Sequence, residues 1–227
     1  MSVRLGISVE GQTEYRFVKA LLESHLAGFG IFATPVIVAT SRAASGAKSK
    51  GGGINLDRVT RELRALLSGF GGGFVTSIYD FYGFADKLPG ETVEELEQRI
   101  AARLGAPPNL IPYVQRHEYE GLLLSNAAIA ANYFQAPKIE ALIRKAVKAA
   151  GGPEQVNDNP QTAPSKRLEG WTLKHAPADL RFSKGTKLRH GEFLAVRLTL
   201  PVIRSACPRF SAWLTKLEAL GRPAPSG

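Results

Sequence analysis

The sequence predicts an α/β fold: a mostly parallel four-stranded sheet with flanking helices, followed by a basic helical C-terminal part. Two observations carry this. Short apolar runs alternate with stretches of helical apolar spacing through the first half of the chain, the pattern of strands joined by crossover helices. The charge is also uneven. The 227 residues carry a net +9, and from Gln161 to Gly227 twelve Lys and Arg stand against four Asp and Glu, leaving about +1 for the first 160 residues. The expected division is an α/β domain over 1–125, a basic helical extension packed on it over 126–220, and a disordered tail over 221–227.

Val3 to Val9 is a short apolar run that reads as a buried strand, closed by Glu10. From Thr13, a plausible N-cap, Phe17, Val18, Leu21, Leu22 and Leu26 recur at helical spacing, and Gly28 and Gly30 stop the helix. Thr34 to Thr40 is the second expected strand, with Pro35 near its start, where a missing N–H costs least. Ser41 to Gly53 has three bases, four glycines and no large apolar residue, the composition of a mobile basic loop. Helical spacing returns from Asp57 to Leu67. Phe74 to Tyr79 is the third strand, with Asp80 at its end. Thr92 to Leu104 is an amphipathic helix with a Thr92/Glu95 capping box. Leu110 to Val114 is the fourth strand and His117 to Leu124 a helix. Beyond these the spacing predicts helices over Lys138 to Ala149, over Phe193 to Ser205 in two pieces broken at Pro201, and over Pro208 to Leu220.

A single cysteine, Cys207, excludes an internal disulfide framework. The opening MSVRLGISVEGQTE lacks the apolar core and cleavage site of a signal peptide, and no apolar run reaches the roughly 18 residues of a membrane span. The expectation is a cytoplasmic protein with no membrane partner. The excess of basic charge in the last third suits a polyanionic partner such as nucleic acid.

Ligands of open α/β sheets bind outside the carboxyl ends of the strands. Glu10 follows the first strand, Asp80 the third, and Glu118 and Glu120 the fourth. One acid at a strand end is ordinarily a solvated charge. Three at the same end of one sheet suit a hard divalent ion, Mg²⁺ or Mn²⁺, with oxygen ligands. Gly11 lets the chain turn sharply after Glu10. Glu14 lies one helical turn on, as a supporting acid or a helix-start charge. His117 is a candidate supporting residue or a structural one. Glu118 and Glu120 point to different sides of a helix, so one of them at most is expected to face a metal.

Three motifs, V-E-G-Q-T-E at Val9 to Glu14, D-F-Y-G at Asp80 to Gly83 and Q-R-H-E-Y-E-G-L-L at Gln115 to Leu123, resemble those of a Toprim-like bacterial family, domain-of-unknown-function family four-two-seven-six. N-D-N-P-Q-T-A-P-S-K-R-L at Asn157 to Leu168 and A-C-P-R-F-S-A-W-L at Ala206 to Leu214 resemble its C-terminal motifs. The resemblance implies kinship with the Toprim domain of topoisomerases, primases and OLD-type nucleases. It assigns Glu10 to the Toprim Glu and Asp80 to the first Asp of D-x-D, both catalytic and metal-binding, around Mg²⁺. The sequence departs from the pattern at Tyr82, where the second Asp is expected, and tyrosine is a poor Mg²⁺ ligand near neutral pH. The candidates for the missing carboxylate are Asp86, Glu118 and Glu120. OLD-type sites use an additional downstream Glu and a Lys near the metals, and Lys166 is the candidate for that Lys.

Arg42, Lys48 and Lys50 in the glycine-rich loop, and Lys166, Arg167, Lys187 and Arg189 in the basic part, are the expected phosphate contacts, Lys as a point charge and Arg as a bidentate fork. Trp171 and Trp213 sit in apolar spacing and read as core. The expected function is a metal-dependent nuclease cleaving phosphodiesters of DNA or RNA. By kinship it would serve in bacterial defence beside an ATPase of the OLD or ABC type, since no phosphate-binding G-x-x-x-x-G-K-[ST] occurs here. The alternative is a non-catalytic Toprim-fold subunit that binds nucleic acid or a partner. A phosphotransferase or phosphatase acting on a small nucleotide is a third reading.

Overall fold

A computed structural model describes residues 2–38, 54–156 and 162–221. The expected loop contacts Arg42, Lys48 and Lys50, the motif positions Asn157 to Gln161, and the tail from Arg222 lie outside the described residues.

The sheet is parallel throughout, in the order β2-β1-β3-β4, with a fifth strand on β3. β1 (Val3–Val9) lies between β2 (Ile31–Ile37) and β3 (Phe74–Asp80). The second strand begins three residues earlier than the apolar run suggests, and Pro35 falls inside it, opposite Ile7. β2 is an edge strand, where a missing donor is tolerated. The expected fourth strand is two short ones, β4 (Leu110–Ile111) and β5 (Val114–Gln115), both pairing with β3. Pro112 interrupts the ladder because it has no N–H. The Ser77 hydroxyl fills the gap, donating to the Tyr113 carbonyl and accepting from the Tyr113 N–H, each at 3.0 Å.

Strand alternation sends side chains to two cores. Leu5, Ile7, Val9 and Ile78 face the larger one, shared with helices from both ends of the chain, including Phe17, Leu194, Leu198, Phe210 and Trp213. Val75, Tyr79 and Val114 face the smaller one, covered by α3 (Leu56–Gly69) and α4 (Val93–Arg103). The Thr92/Glu95 capping box forms as the sequence predicts. Trp213 is buried and donates to the Thr76 hydroxyl at 2.9 Å, so the last helix is anchored to the middle of the sheet. Trp171 packs half-buried against the larger core.

After β1 the chain forms α1 (Gln12–Phe17), a π-helical turn (Val18–Leu22) and α2 (Glu23–Ala27). Gly11, not Thr13, is the N-cap, and its N–H is held by the Glu14 carboxylate at 3.0 Å. The expected helix after the fourth strand is a 3₁₀ segment, Tyr119–Leu124. α5 (Ala127–Tyr133) and α7 (Pro164–His175) flank the expected α6 (Pro137–Ala150). α8 runs from Lys187 to Ala206 with its kink at Thr199, two residues before Pro201, as a proline disturbs the turn that precedes it. α9 (Pro208–Leu220) closes the fold. No helix among the described residues is long and apolar enough to cross a membrane.

Candidate acidic site at the ends of the central strands

β1 has β2 on one side and β3 on the other, so the C-terminal ends of β1 and β3 flank the point where strand order reverses, the place where such sheets leave a crevice. Glu10 and Asp80 emerge there. The Asp80 N–H points at the Glu10 carboxylate, 3.3 Å from Oε2. Asp80 Oδ1 accepts the Tyr119 N–H at 2.9 Å, which ties the 3₁₀ segment to the strand end. A Cβ at Gly83 would lie 3.1 Å from both Glu10 oxygens, so glycine in D-F-Y-G lets backbone and carboxylate approach.

α8 delivers the positive charge. Gly191 allows that helix to cross α1 closely, since a Cβ there would meet Thr13 Cγ2 at 3.2 Å, and Tyr119 Oη donates to the Gly191 carbonyl at 3.1 Å. This crossing sets the Lys187 ammonium 2.8 Å from Glu120 Oε1. Glu120 is fully buried, and its Oε2 has no hydrogen-bond partner among the described residues. Glu14, also buried, stands beside the group.

The electrostatics follow from this crowding. Burial raises the Asp80 pKa well above the ordinary carboxylate range, and the neighbouring charges of Glu14, Glu10 and Glu120 raise it further against the pull of Lys187. Glu10, Glu14 and Glu120 are also raised, chiefly by burial, with Lys187 acting in the opposite sense on each. Burial disfavours the Lys187 charge, but Glu120, Asp80 and Glu14 outweigh it and raise the pKa of the ammonium. Among the described residues, several acids thus share one cation, Lys187.

The other expected site residues fall as follows. Glu118 caps the N-terminus of α7, accepting the Ser165 N–H at 3.0 Å. Asp86 accepts the Leu56 N–H at the start of α3, at 2.9 Å from Oδ2. The carbonyl of His117 accepts the Tyr82 N–H at 3.3 Å, and the Tyr82 side chain is partly exposed. Lys166 is exposed and paired with Glu169 at 2.8 Å. Arg167 donates to the Thr162 carbonyl at 2.6 Å, and Arg189 to the Asp179 carbonyl at 2.6 Å. The cation brought to the acids is therefore Lys187 rather than Lys166. The sequence signal for it was indirect: a glycine, Gly191, inside apolar helical spacing marks a close helix crossing.

The donor set suits a hard divalent ion: carboxylate oxygens in excess of positive charge, one of them unpartnered, at a strand-end crevice. The side chains are not drawn tightly together, however. Among the described residues no three His, Cys, Asp or Glu side chains are grouped closely enough to hold a metal ion. Neither the curated proteins nor the solved structures contain a match to the chain. The family described as Domain of unknown function (DUF4276) matches residues 9–218, from the last residue of β1 to the last turn of α9, and the chain belongs to that family.

Proposed function

We propose that this protein is a metal-dependent phosphodiesterase of Toprim type that cleaves nucleic acid, with Glu10 and Asp80 as the residues that would hold Mg²⁺ or Mn²⁺. One observation carries the reading: Glu10 and Asp80, far apart in sequence, meet through a backbone hydrogen bond at the ends of adjacent parallel strands, beside the buried acids Glu14 and Glu120 and, among the described residues, one lysine, Lys187. A buried excess of carboxylates is costly unless a cation is supplied. Glu120 and Glu14, whose charges act on Asp80, are further candidate donors, and either could stand in for the acid that Tyr82 replaces. When bound, such an ion supplies Lewis-acid charge to a phosphodiester and a more acidic water.

The chain's own residues supply the rest. Lys187, held charged by its acidic neighbours, offers a point charge to phosphate oxygens at the rim of the group. Tyr119, whose N–H holds Asp80, keeps that carboxylate turned toward the strand end. Glu118, by capping α7, fixes the basic first turn of that helix beside the crevice. By the resemblance of its motifs to OLD-type proteins, the role would be in bacterial defence beside an ATPase of the OLD or ABC type.

The test mixes purified protein, alone and with its ATPase neighbour, with labelled DNA and RNA in EDTA, Mg²⁺ or Mn²⁺. Metal-dependent cleavage that falls at least about a hundredfold in Glu10→Gln and Asp80→Asn is expected, since loss of a metal ligand removes several kcal/mol of transition-state stabilisation. The second reading, a non-catalytic binding subunit, draws on Lys187, which already supplies a cation to Glu120, and on Tyr82 at the D-x-D position. Nucleic-acid binding without cleavage under every metal condition selects it.

A further inference from the structure

The α8 helix carries a second feature outside the acid group. A cavity of about 420 Å³ opens on its outer face, lined by Tyr133, Leu180, Arg189, His190, Phe193 and Arg197 among others. That volume lies in the range of small-ligand pockets. The lining joins the aromatic Tyr133 and Phe193 to two bases, Arg189 and Arg197, and one acid, Asp179. Phe193 is about half exposed (52%), which is unusual for a phenylalanine with no packing task. The Tyr133 ring is held from beneath by the buried His190, whose Nδ1 is 2.7 Å from the Tyr133 hydroxyl. The Arg197 guanidinium lies over that ring, 5.5 Å from its centroid. Arg189 is fixed on the rim through the Asp179 carbonyl. Burial and the nearby Arg189 charge lower the His190 pKa, so that ring is neutral at neutral pH.

An exposed aromatic ring, Phe193, in a cavity with two guanidiniums suits a flat aromatic ligand that carries negative charge. An uncharged apolar peptide would leave both guanidiniums unused. We infer that this cavity is a nucleotide subsite, which takes an unpaired nucleobase against the exposed Phe193 ring and its phosphate on Arg197 and Arg189. The inference deepens the nucleic-acid reading above and rests on it. Lys187 and Phe193 lie six residues apart on one helix, about 9 Å along its axis. Six residues also turn the helix through about 240°, so the two side chains leave α8 on different faces and a strand from the acids to the cavity passes around the helix. A paired base cannot stack there, so the subsite selects single-stranded or frayed substrate.

The full chain in EDTA would be titrated into fluorescein-labelled hexadeoxyadenylate, the matching duplex, adenosine monophosphate and inorganic phosphate. Phe193→Ala and Arg197→Gln both alter exposed side chains, and circular dichroism would confirm their folding. Each is expected to weaken hexanucleotide binding about tenfold, the effect of losing one base-stacking platform, with duplex binding little changed. Unchanged hexanucleotide affinity in both variants overturns the subsite. So does a loss confined to Arg197→Gln, which would mark a bare anion site. Binding of adenosine monophosphate through the same residues without hexanucleotide binding overturns the strand assignment, and a change of oligomeric mass in Phe193→Ala without a nucleotide effect gives the patch to self-association. Cleavage that depends on Glu10 but not on Phe193 would leave the phosphodiesterase reading standing and remove this one. Phe193-dependent binding with no cleavage would do the reverse.

Discussion

Two groups of buried charge lie at different places in this fold, and their balance differs. Where α2, α8 and α9 meet, Glu218 is buried between two partners, with the Arg204 guanidinium and His25 Nε2 on the same carboxylate, the latter at 2.7 Å. Burial alone would raise its pKa, but Arg204 and His25 outweigh it and lower the pKa. At the strand ends the ratio is inverted: Glu10, Glu14, Asp80 and Glu120 share Lys187, and all four carboxyls are raised. Buried charges that serve only the fold arrive paired. A surplus of like charge is strain that a structural role does not require, and perturbed acids in a crevice are the usual mark of a functional site. The C-terminal group is balanced, and the strand-end group carries a surplus of acid, the contrast on which the metal-site proposal rests.

The largest expected effect tests that contrast at its centre. Lys187→Met removes the cation paired with Glu120, which should cost about 2–4 kcal/mol at pH 7, below the full cost of orphaning a buried charge because the Lys187 side chain is 35% exposed. If the acids take a divalent ion, Mg²⁺ should restore part of the loss, about 2.7 kcal/mol at a hundredfold excess over its Kd. Thermal denaturation with and without Mg²⁺ reads both numbers, and an absence of metal rescue would break the analogy with a metal site. Next in size, Glu218→Gln should destabilise by about 1–3 kcal/mol, discounted because Arg204 and His25 are partly exposed. Asp80→Asn should have the opposite sign and stabilise the protein in EDTA, by about 1 kcal/mol, because it removes one of several repelling charges.

The pH dependence separates the two groups further. A carboxyl raised in the folded state contributes stability that is present below its unfolded pKa and lost as pH rises toward the folded one, because the unfolded chain gives up its proton first. The strand-end acids therefore erode stability as pH climbs above about 4. Glu218, lowered in the folded state, contributes above its unfolded pKa and loses that contribution as pH falls through the folded one. In chemical denaturation from pH 4 to 7, Asp80→Asn should flatten the decline relative to the parent. Glu218→Gln should leave that decline in place and remove the parent's extra loss at the acid end. Parallel curves for Asp80→Asn and the parent would show that the Asp80 carboxyl is not perturbed.

The alternation of apolar runs and helical spacing was enough to place β1, β3, α3, α4, α6 and α9, because each buries one periodic face and carries its own stop signal. The acids at strand ends were legible for the same reason: a strand that ends on an acid puts that acid at the sheet's edge. The elements that were missed depend on long-range partners. α7 has few apolar residues, and its N-terminus is fixed by Glu118, which no local pattern shows. The break between β4 and β5 comes from Pro112 and is mended by Ser77, a strand away. The first strand's neighbour began early at Ile31 because pairing with β1 overrode the glycine-rich approach to it. The partnership of Lys187 with Glu120 was hidden most deeply, since it depends on how α8 crosses α1 at Gly191.

That partnership sets the smallest and most discriminating prediction. Lys166 and Lys187 border one shallow cavity, with Lys184 between them, yet they hold different partners. Lys166 is exposed and tied to Glu169 one turn along its own helix, and such surface pairs contribute about 0–1 kcal/mol. Lys166→Gln should therefore leave thermal stability within about 1 kcal/mol of the parent and reduce cleavage less than about tenfold, by weakening a single phosphate interaction. The reduction should shrink as salt rises, because an exposed lysine's pull on phosphate is screened and driven by counterion release. Lys187→Gln should cost stability and cleavage together, with the cleavage defect persisting at high salt because the ammonium sits among buried acids. If Lys166→Gln instead abolishes cleavage at every salt concentration while stability is untouched, the charge that faces the phosphate belongs to Lys166. Lys187 would then be the counter-ion that keeps the acid group folded, and the two buried-charge regions would differ in degree rather than in kind.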